Sequence, residues 1–433
     1  MRLLGLAVVV VLVGFGTSVA EAETIYLTAT RLLDPVLGRE VDYPAIVIDS
    51  GKVTAIGTVS SLPAPDGARH IDLGAQTILP GLIDMLVHLT SRADTHGFKG
   101  LLVTPAAAGI SGVANARVTL LAGFTTVRNV GASDYADVAL RESIENGETI
   151  GPKLFVSGPL IGATGGHCDR NLLPFEYHLV SEGVADGPEA MRHKVREVHK
   201  YGADLIKLCA TGGVLSKGDS VGAQQLTLAE MTAAVDEAHM LGLKVAAHAH
   251  GTSGIKDALR AGVDTIEHAS LADDEAFALA RQKGAAFSMD IYNDDFILGE
   301  GAKFGMLPES LEKERQVGRL QRETFRRAVK AGVFMIFGTD AGVYPHGDNA
   351  RQFAKMVEWG MTPMQAIQAA TVNAAKMLGP LGDDRGSLAP GKSADIIAVT
   401  ADPLADIRTL ENVAFVMRHG VVYKADGASV FPR

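Results

Sequence analysis

The sequence predicts an α/β fold, in which a barrel of eight β/α units carries a smaller β domain. Three observations indicate it. Strand-like and helix-like segments alternate through the middle of the chain, as in a parallel sheet covered by helices. Both ends of the chain are instead rich in short strands and turns. About 410 residues follow a leader segment, too many for one ordinary core but suitable for a barrel with an attached domain.

The leader has the pattern of a secretory signal peptide. Met1 and Arg2 give a positive start, residues 3–15 an apolar core, and Ala20-Glu21-Ala22 a small-x-small cleavage site. The apolar run is short for a transmembrane anchor, and no cysteine follows it to carry a lipid. We therefore expect cleavage after Ala22, no membrane anchor afterwards, and an exported protein, located in a periplasm.

The two ends of the chain are expected to form one β domain. Residues 26–30 and 45–48 are β-rich, and Asp49-Ser50-Gly51-Lys52 has hairpin-turn chemistry. Residues 394–399 and 415–423 form matching strands near the C terminus. The predicted organisation is a signal peptide over 1–22, β-domain parts over 23–80 and 381–433, and the barrel over 81–380.

The barrel prediction depends on eight strand candidates, and in such barrels the chemistry lies at the C-terminal ends of the strands. The candidates are residues 82–88, 125–130, 153–157, 205–209, 244–248, 265–268, 286–290 and 333–340.

Charge and cysteine content exclude some classes of function. The formal charge of −10 argues against nucleic acid as a partner, because such binding needs clustered Lys and Arg.

Two cysteines, Cys168 and Cys209, are too few for a disulfide framework. Export would permit one bridge, but we expect free cysteines near the barrel mouth.

Lys207 interrupts an apolar strand, although lysine is almost never buried without a partner. In one interpretation it lies at the end of the strand and contacts a carboxylate or water. In the other, its amine loses a proton in a protected pocket and takes up CO2. The resulting carbamate is an oxygen ligand that can bridge two metal ions.

Other strand ends carry residues that bind metal ions. Imidazole and carboxylate are the usual ligands of zinc and its neighbours. One histidine at a strand end is commonly a satisfied polar residue, but several at one rim with a lysine and an aspartate indicate a metal hydrolase. The set comprises His88, Lys207, His248-Ala249-His250, Glu267-His268 and Asp340.

These motifs resemble the amidohydrolase superfamily over nearly the whole mature chain. The matching segments are Leu79-Pro80-Gly81-Leu82-Ile83-Asp84, the Lys207 strand, Gly338-Thr339-Asp340-Ala341-Gly342 and residues 386–395. Thr164-Gly165-Gly166-His167-Cys168-Asp169 and Ala210-Thr211-Gly212-Gly213-Val214 resemble its prolidase-like branch. The resemblance implies a distorted (β/α)8 TIM barrel, a β-sandwich domain and a two-zinc centre. It also implies cleavage of dipeptides or N-acyl amino acids, including toxin amides of the ochratoxin type, and a homo-oligomer.

The resemblance also implies roles for individual residues. Lys207 would be the carboxylated bridge, and His248 and His268 would hold the buried β metal. His88 and Asp340 would belong to the α metal, with Asp340 also acting as general base. His250, two residues beyond His248 on the same face, would support the site from behind the metal ligands or contact substrate.

The first strand departs from the family pattern. The family has His-x-His, whereas this chain has Leu86-Val87-His88. Leu86 has no lone pair, so the α metal is expected to be weakly held or absent. The change is compatible with an introduced inactivating substitution, a natural one-metal enzyme, or a pseudoenzyme that only binds.

Substrate contacts are predicted at three places. His167 is expected to bind the α-carboxylate of the product, and Arg128 either does the same or forms a structural ion pair. Tyr292 lies in an acidic segment with Asp290, Asp294 and Asp295. This segment either favours substrates with a cationic C-terminal residue or is a solvated loop.

The predicted function is metal-dependent hydrolysis of an amide bond in a dipeptide or N-acyl amino acid, by metal-activated hydroxide. Two alternatives stay open. One is a cyclic-amide hydrolase of the imidazolonepropionase kind, and the presence of Lys207 is evidence against it. The other is a pseudoenzyme that only binds, and the presence of Leu86 is evidence for it.

Overall fold

The computed structural model describes residues 23–431. The predicted signal peptide therefore lies outside the described residues. Two sheets at one end of the molecule contain the strands β1 (Ile25–Thr28), β2 (Arg31–Asp34), β3 (Arg39–Asp42), β4 (Pro44–Asp49), β5 (Lys52–Thr58), β6 (Arg69–Asp72) and β7 (Thr77–Pro80). The barrel strands are β8 (Leu82–Val87), β9 (Phe124–Asn129), β10 (Lys153–Val156), β11 (Leu205–Cys209), β12 (Lys244–Ala249), β13 (Thr265–His268), β14 (Ala286–Ser288) and β15 (Phe334–Ile336). The C-terminal strands are β16 (Ile396–Val399), β17 (Phe415–Arg418), β18 (Val421–Ala425) and β19 (Ala428–Ser429).

The β domain is assembled from both ends of the chain. One sheet has the order β5-β4-β1-β6, and the other has the order β19-β18-β17-β16-β7-β2-β3. Strands β7 and β16 pair antiparallel, with Leu79 opposite Ile397, so this ladder joins the two chain ends. Apolar side chains from both sheets, among them Leu27, Ile46 and Phe415, pack together as the core between them.

The barrel strands run parallel in two arcs, β10-β9-β8 and β11-β12-β13-β14-β15. Parallel bridges between Ile161 and Leu208 and between Val87 and Ala341 join the arcs at both gaps. The predicted fold class, a distorted (β/α)8 barrel with a β-sandwich domain, is confirmed. The last barrel strand is shorter than the sequence suggested, because regular pairing with β14 stops at Ile336.

Helices follow the barrel strands and cover them. Thr227 begins one with a capping box, in which its side chain accepts from the Glu230 amide and Glu230 accepts from the Thr227 amide. No helix within residues 23–431 is long and apolar enough to cross a membrane. The helices are α1 (Pro105–Leu121), α2 (Ala136–Glu145), α3 (Pro188–Lys200), α4 (Leu228–Met240), α5 (Thr252–Ala261), α6 (Asp274–Lys283), α7 (Asn293–Gly299), α8 (Pro308–Lys330), α9 (Arg351–Glu358), α10 (Pro363–Gln368) and α11 (Ala374–Met377).

Candidate active site

A cavity of about 730 Å³ opens at the C-terminal ends of the barrel strands. This is the end at which barrels of this architecture carry their chemistry. Most of the residues selected from the sequence line it: His88, His167, Lys207, His248, His250, His268 and Asp340. Apolar side chains line another part of the wall, including Leu172, Leu173, Leu179 and Leu215.

Three imidazoles form the centre of the site. One nitrogen from each of His248, His250 and His268 lies within 4.8 Å of the others. Nδ1 of His250 is hydrogen-bonded to Ser270 Oγ at 2.8 Å, which leaves Nε2 for the cluster. Nε2 of His248 is buried and has no hydrogen-bond partner among the described residues. A buried nitrogen without a partner is costly unless a ligand such as a metal ion uses its lone pair.

The pKa values of His248 and His250 also indicate that these imidazoles can ligate a metal ion. Burial, followed by the repulsion of neighbouring imidazoles, lowers the pKa of His248 and His250 well below the usual value. Neutral imidazole is the form that ligates a metal. The two imidazoles of His248 and His250 therefore fit a divalent cation of the zinc type.

Two residues of the site, His268 and Asp340, have a left-handed backbone conformation. In β13, alternation puts Thr265 and Glu267 on the same face as Ala246 and His248 of β12. His268, the next residue, would then point away, but it has φ 70° and still lines the cavity. Asp340, beyond the last strand, also has positive φ, at 58°. Non-glycine residues in this conformation cost about 1–3 kcal/mol each and cluster at functional sites.

Asp290 orients His268. Its Oδ1 accepts from Nδ1 of His268 at 2.8 Å and from Nε2 of Gln321 at 2.8 Å. Such a carboxylate fixes the imidazole tautomer and directs Nε2 toward the metal position. Asp290 also forms a second candidate ligand group with His268 and Asp340, whose donor atoms lie within 4.8 Å of one another. The sequence had associated Asp290 only with substrate charge.

Lys207 is 2% exposed, and its amine has no ion pair or hydrogen bond with residues 23–431. The main compensating charge is that of Glu267, which is itself engaged by Arg128. Burial lowers the pKa of Lys207 to about 8, although Glu267 opposes this shift. The contact with a carboxylate that one interpretation of this lysine expects is not seen among residues 23–431.

His88 and Asp340 lie together at the edge of the imidazole cluster. Their Nε2 and Oδ1 atoms are 3.2 Å apart, and Nδ1 of His88 lies 3.3 Å from the Gly131 carbonyl. Burial alone would raise the pKa of Asp340, but the hydrogen bond from His88 and nearby positive charge hold it below the usual value. Leu86 is fully buried in the barrel interior and its carbonyl accepts from the Asp340 amide at 2.7 Å.

His167 lies against the imidazole cluster. Its ring stacks on His248 with a centroid distance of 4.1 Å. Its Nδ1 is 2.7 Å from Ser216 Oγ, which donates to Asp219, and Lys313 pairs with Asp219 at 2.7 Å. The imidazole is therefore held at the cavity wall by a chain of polar contacts from another loop.

Two predicted substrate contacts are not supported. Arg128 lies inside the barrel and pairs with buried Glu267 at 2.7 Å, which is the structural ion pair left open as its alternative. The pairing arises because strand alternation turns Glu267 inward. Tyr292 is not part of the cavity wall. Its hydroxyl accepts from Arg351 at 3.1 Å, because α7 begins at Asn293 and turns Tyr292 toward α9.

The expectation of free cysteines was wrong, because the structure joins Cys168 to Cys209. Backbone hydrogen bonds between Ile161 and both Lys207 and Cys209 lay the loop after β10 along β11. This pairing brings the two distant cysteines together at the cavity.

Glu314 and Gln321 line the cavity but were not selected from the sequence. Both lie on α8, whose charged sequence resembles a solvent-exposed helix. No local signal distinguishes them from its other polar residues.

Comparison with known proteins agrees with this site. Residues 77–423 match the model of the amidohydrolase family. Ochratoxinase from Aspergillus niger is 31% identical over 95% of this chain and 88% of its own length. Its crystal structure superposes with a TM-score of 0.86 at 29% identity, over 95% of this chain and 99% of that one.

A Xaa-Pro dipeptidase with methionine bound in its active site is also similar. It is 37% identical, with a TM-score of 0.86 over 93% of this chain and 100% of that one. Together with the strand-end residues, these matches support the prolidase-like branch. The chain therefore belongs to the amidohydrolase family and is a hydrolase acting on amide bonds.

Proposed function

We propose that the protein is a metal-dependent hydrolase that cleaves the amide bond of a dipeptide or an N-acyl amino acid. The observation that carries the proposal is the cluster of His248, His250 and His268 beside the buried Lys207, whose amine has no partner among the residues that the structure describes. The similarity to an ochratoxinase and a Xaa-Pro dipeptidase supports the amide substrate.

The residues fit a zinc centre with a carbamate on Lys207. The lysine nitrogen would attack the carbon of CO2, form an N–C bond and release one proton. The carbamate oxygens, with His248 and His268, would hold one ion, and His88 and Asp340 would contribute to a second. His250 offers a further imidazole. A bound divalent cation would lower the pKa of a bound water to about 7 and polarise the amide carbonyl.

Asp340 is the residue best placed to move protons. Its carboxylate is held ionised beside His88, so it can accept a proton from the attacking water and deliver it to the leaving amine. His88 fixes the orientation of this carboxylate, and the Leu86 carbonyl fixes its backbone. The left-handed conformation at Asp340 therefore helps to position the carboxylate that would act as general base.

His167 and the apolar wall would bind the substrate on either side of the reacting bond. Ser216 fixes the His167 ring through Nδ1, so Nε2 would donate a hydrogen bond to an α-carboxylate in the protonated form of the ring, which that negative charge would favour. Leu172, Leu173 and Leu179 offer an apolar surface for an acyl group or side chain.

The test is hydrolysis by zinc- and bicarbonate-treated enzyme of matched substrates with and without an α-carboxylate, such as Ala-Phe and Ala-Phe amide. We expect cleavage of the acid to exceed that of the amide, and His167→Gln to reduce the difference by raising KM. Lys207→Ala should abolish turnover. Cleavage of cyclic amides alone would favour the imidazolonepropionase-like alternative, and binding without turnover would favour a pseudoenzyme.

A further inference from the structure

Lys313 is a buried cation on α8 that the proposed reaction does not use. It is 7% exposed, and its amine donates to Asp219 Oδ1 at 2.7 Å, to the Ser216 carbonyl at 2.8 Å and to the Gly213 carbonyl at 3.2 Å. An ammonium group has three protons, so these acceptors use all of them. All three acceptors lie in the loop that follows β11. Lys313 therefore fastens this loop to α8.

The acid that Lys313 holds is ionised and accepts a proton from Ser216. Burial would raise the pKa of Asp219, but hydrogen bonds from Lys313 and Ser216 hold it below the usual value. A carboxylate only accepts hydrogen bonds, so the Ser216 hydroxyl donates to Asp219 Oδ1 at 2.7 Å. The Gly213 carbonyl, 3.3 Å from the same hydroxyl, is the longer alternative acceptor. With either acceptor, the single hydroxyl proton of Ser216 points away from His167.

This direction of donation decides where the proton of His167 lies. Nδ1 of His167 is 2.7 Å from Ser216 Oγ, and Ser216 has no second proton to give, so Nδ1 must be the donor. Nε2 of the ring has no hydrogen bond with residues 23–431. The ring also packs tightly on Gly213, where a side-chain carbon would lie 2.3 Å from Cε1 of the imidazole. The contacts therefore define one tautomer, protonated at Nδ1, and one place for the ring.

The backbone of His167 depends on the same acid. The amide of His167 donates to Oε1 of Gln225 at 2.8 Å, and Nε2 of Gln225 donates to Oδ2 of Asp219 at 3.0 Å. With Ser216, these bonds form a closed circuit that starts and ends at His167. One carboxylate, fixed by Lys313, thus holds both the backbone and the ring of a residue in the loop after β10.

We propose that Lys313 and Asp219 are positioning residues, which act through Ser216 to keep a proton on Nδ1 of His167 and to reserve Nε2 for the substrate. This inference rests on the proposed function, in which His167 binds the α-carboxylate, and adds to it residues that do not touch the substrate. The competing explanation is that the contacts only hold the loop in place. In that case the position of the proton would not depend on them.

The first experiment locates the proton by proton–nitrogen NMR of zinc- and bicarbonate-treated protein with isotope-labelled histidine, because the two ring nitrogens differ in shift with protonation. Loss of signals in His167→Gln identifies this ring. The test variant is Lys313→Met/Asp219→Leu, which removes both charges of the buried pair together and so leaves neither unpaired. The matched control is Lys303→Met/Glu300→Leu, at an exposed pair 2.8 Å apart.

We expect the neutral ring of His167 to carry its proton on Nδ1 in wild type and in the control. In Lys313→Met/Asp219→Leu the hydroxyl of Ser216 can donate to Nδ1, so the proton should move toward Nε2. A wild-type ring protonated at Nε2, or a test variant with the wild-type spectrum, would overturn the inference. Urea unfolding of each variant shows whether a change results from loss of the fold.

The second experiment measures kcat/KM for Ala-Phe over Ala-Phe amide. Ser216→Ala and the Lys313/Asp219 variant should each lower this ratio by about 3–10-fold through KM, as for loss of one hydrogen bond. In the His167→Gln background neither change should lower it further, because both act through this ring. An unchanged ratio, or a loss that persists without His167, would overturn the positioning role and leave the proposed function standing. Equal cleavage of acid and amide by wild type would instead contradict the carboxylate contact of the proposed function, and the NMR spectrum would still decide the inference.

Discussion

Replacing Arg128 by methionine tests whether this residue supports the barrel or binds substrate. Its guanidinium donates to Glu267 at 2.7 Å and to Thr265 at 3.1 Å, and the paired side chains are 4% and 0% exposed. Methionine keeps much of the volume but leaves the Glu267 carboxylate buried without its counter-charge. Breaking a buried pair in this way costs about 3–5 kcal/mol of unfolding free energy. Replacing both partners by apolar residues should restore most of this loss.

Urea denaturation of wild type, Arg128→Met and the double variant Arg128→Met/Glu267→Met measures the three free energies. Arg319 and Glu323 form an exposed control pair at 3.0 Å, for which the same cycle should give less than about 1 kcal/mol. KM for an amide substrate is measured in parallel. A loss below about 1 kcal/mol in Arg128→Met, together with a large rise in KM, would refute the structural role and return Arg128 to the substrate site.

Three further predictions concern the bridge, the metal and pH. Removing the Cys168–Cys209 bridge, which encloses a sequence separation of 41 residues, should cost up to about 4 kcal/mol in urea; two titratable thiols in unreduced wild type would contradict it. Leu86→His should raise zinc toward two equivalents and raise turnover, whereas two tightly held ions in wild type would refute it. Burial raises the pKa of Asp137 from 3.8 to about 6, so the native state binds more protons than the unfolded chain between those values. The contribution of Asp137 to stability should therefore fall by about 3 kcal/mol from pH 4 to 6 and then level off. In Asp137→Asn this contribution should be absent, so the stability difference between the two proteins should change by about 3 kcal/mol from pH 4 to 6. A difference that stays constant in urea titrations of both proteins would contradict the assignment.

The sequence predicted the fold and most of the site because both depend on local patterns. Strand ends in a parallel barrel meet at one rim, so Lys207, His248 and Asp340 could be associated before their positions were known. His268 was also selected correctly, although strand alternation alone would have turned it away from the cavity. Its left-handed backbone is a property of the chain after the strand, which periodicity does not describe.

The residues that the sequence missed or misassigned depend on long-range packing. Glu314 lies on a helix whose sequence resembles an exposed one, and only the position of α8 against the cavity shows that it is buried. Arg128 faces the barrel interior, and the inward direction of Glu267 decides its partner. The Cys168–Cys209 bridge likewise depends on the path of a long loop along β11.

The most direct test of the whole account is the zinc content of purified protein after treatment with zinc and bicarbonate and gel filtration. We predict at least one equivalent in wild type, lost without bicarbonate and weakened at least about tenfold in Lys207→Ala. Wild type without stoichiometric metal, or Lys207→Ala with undiminished metal, would contradict a carbamate-supported metal centre.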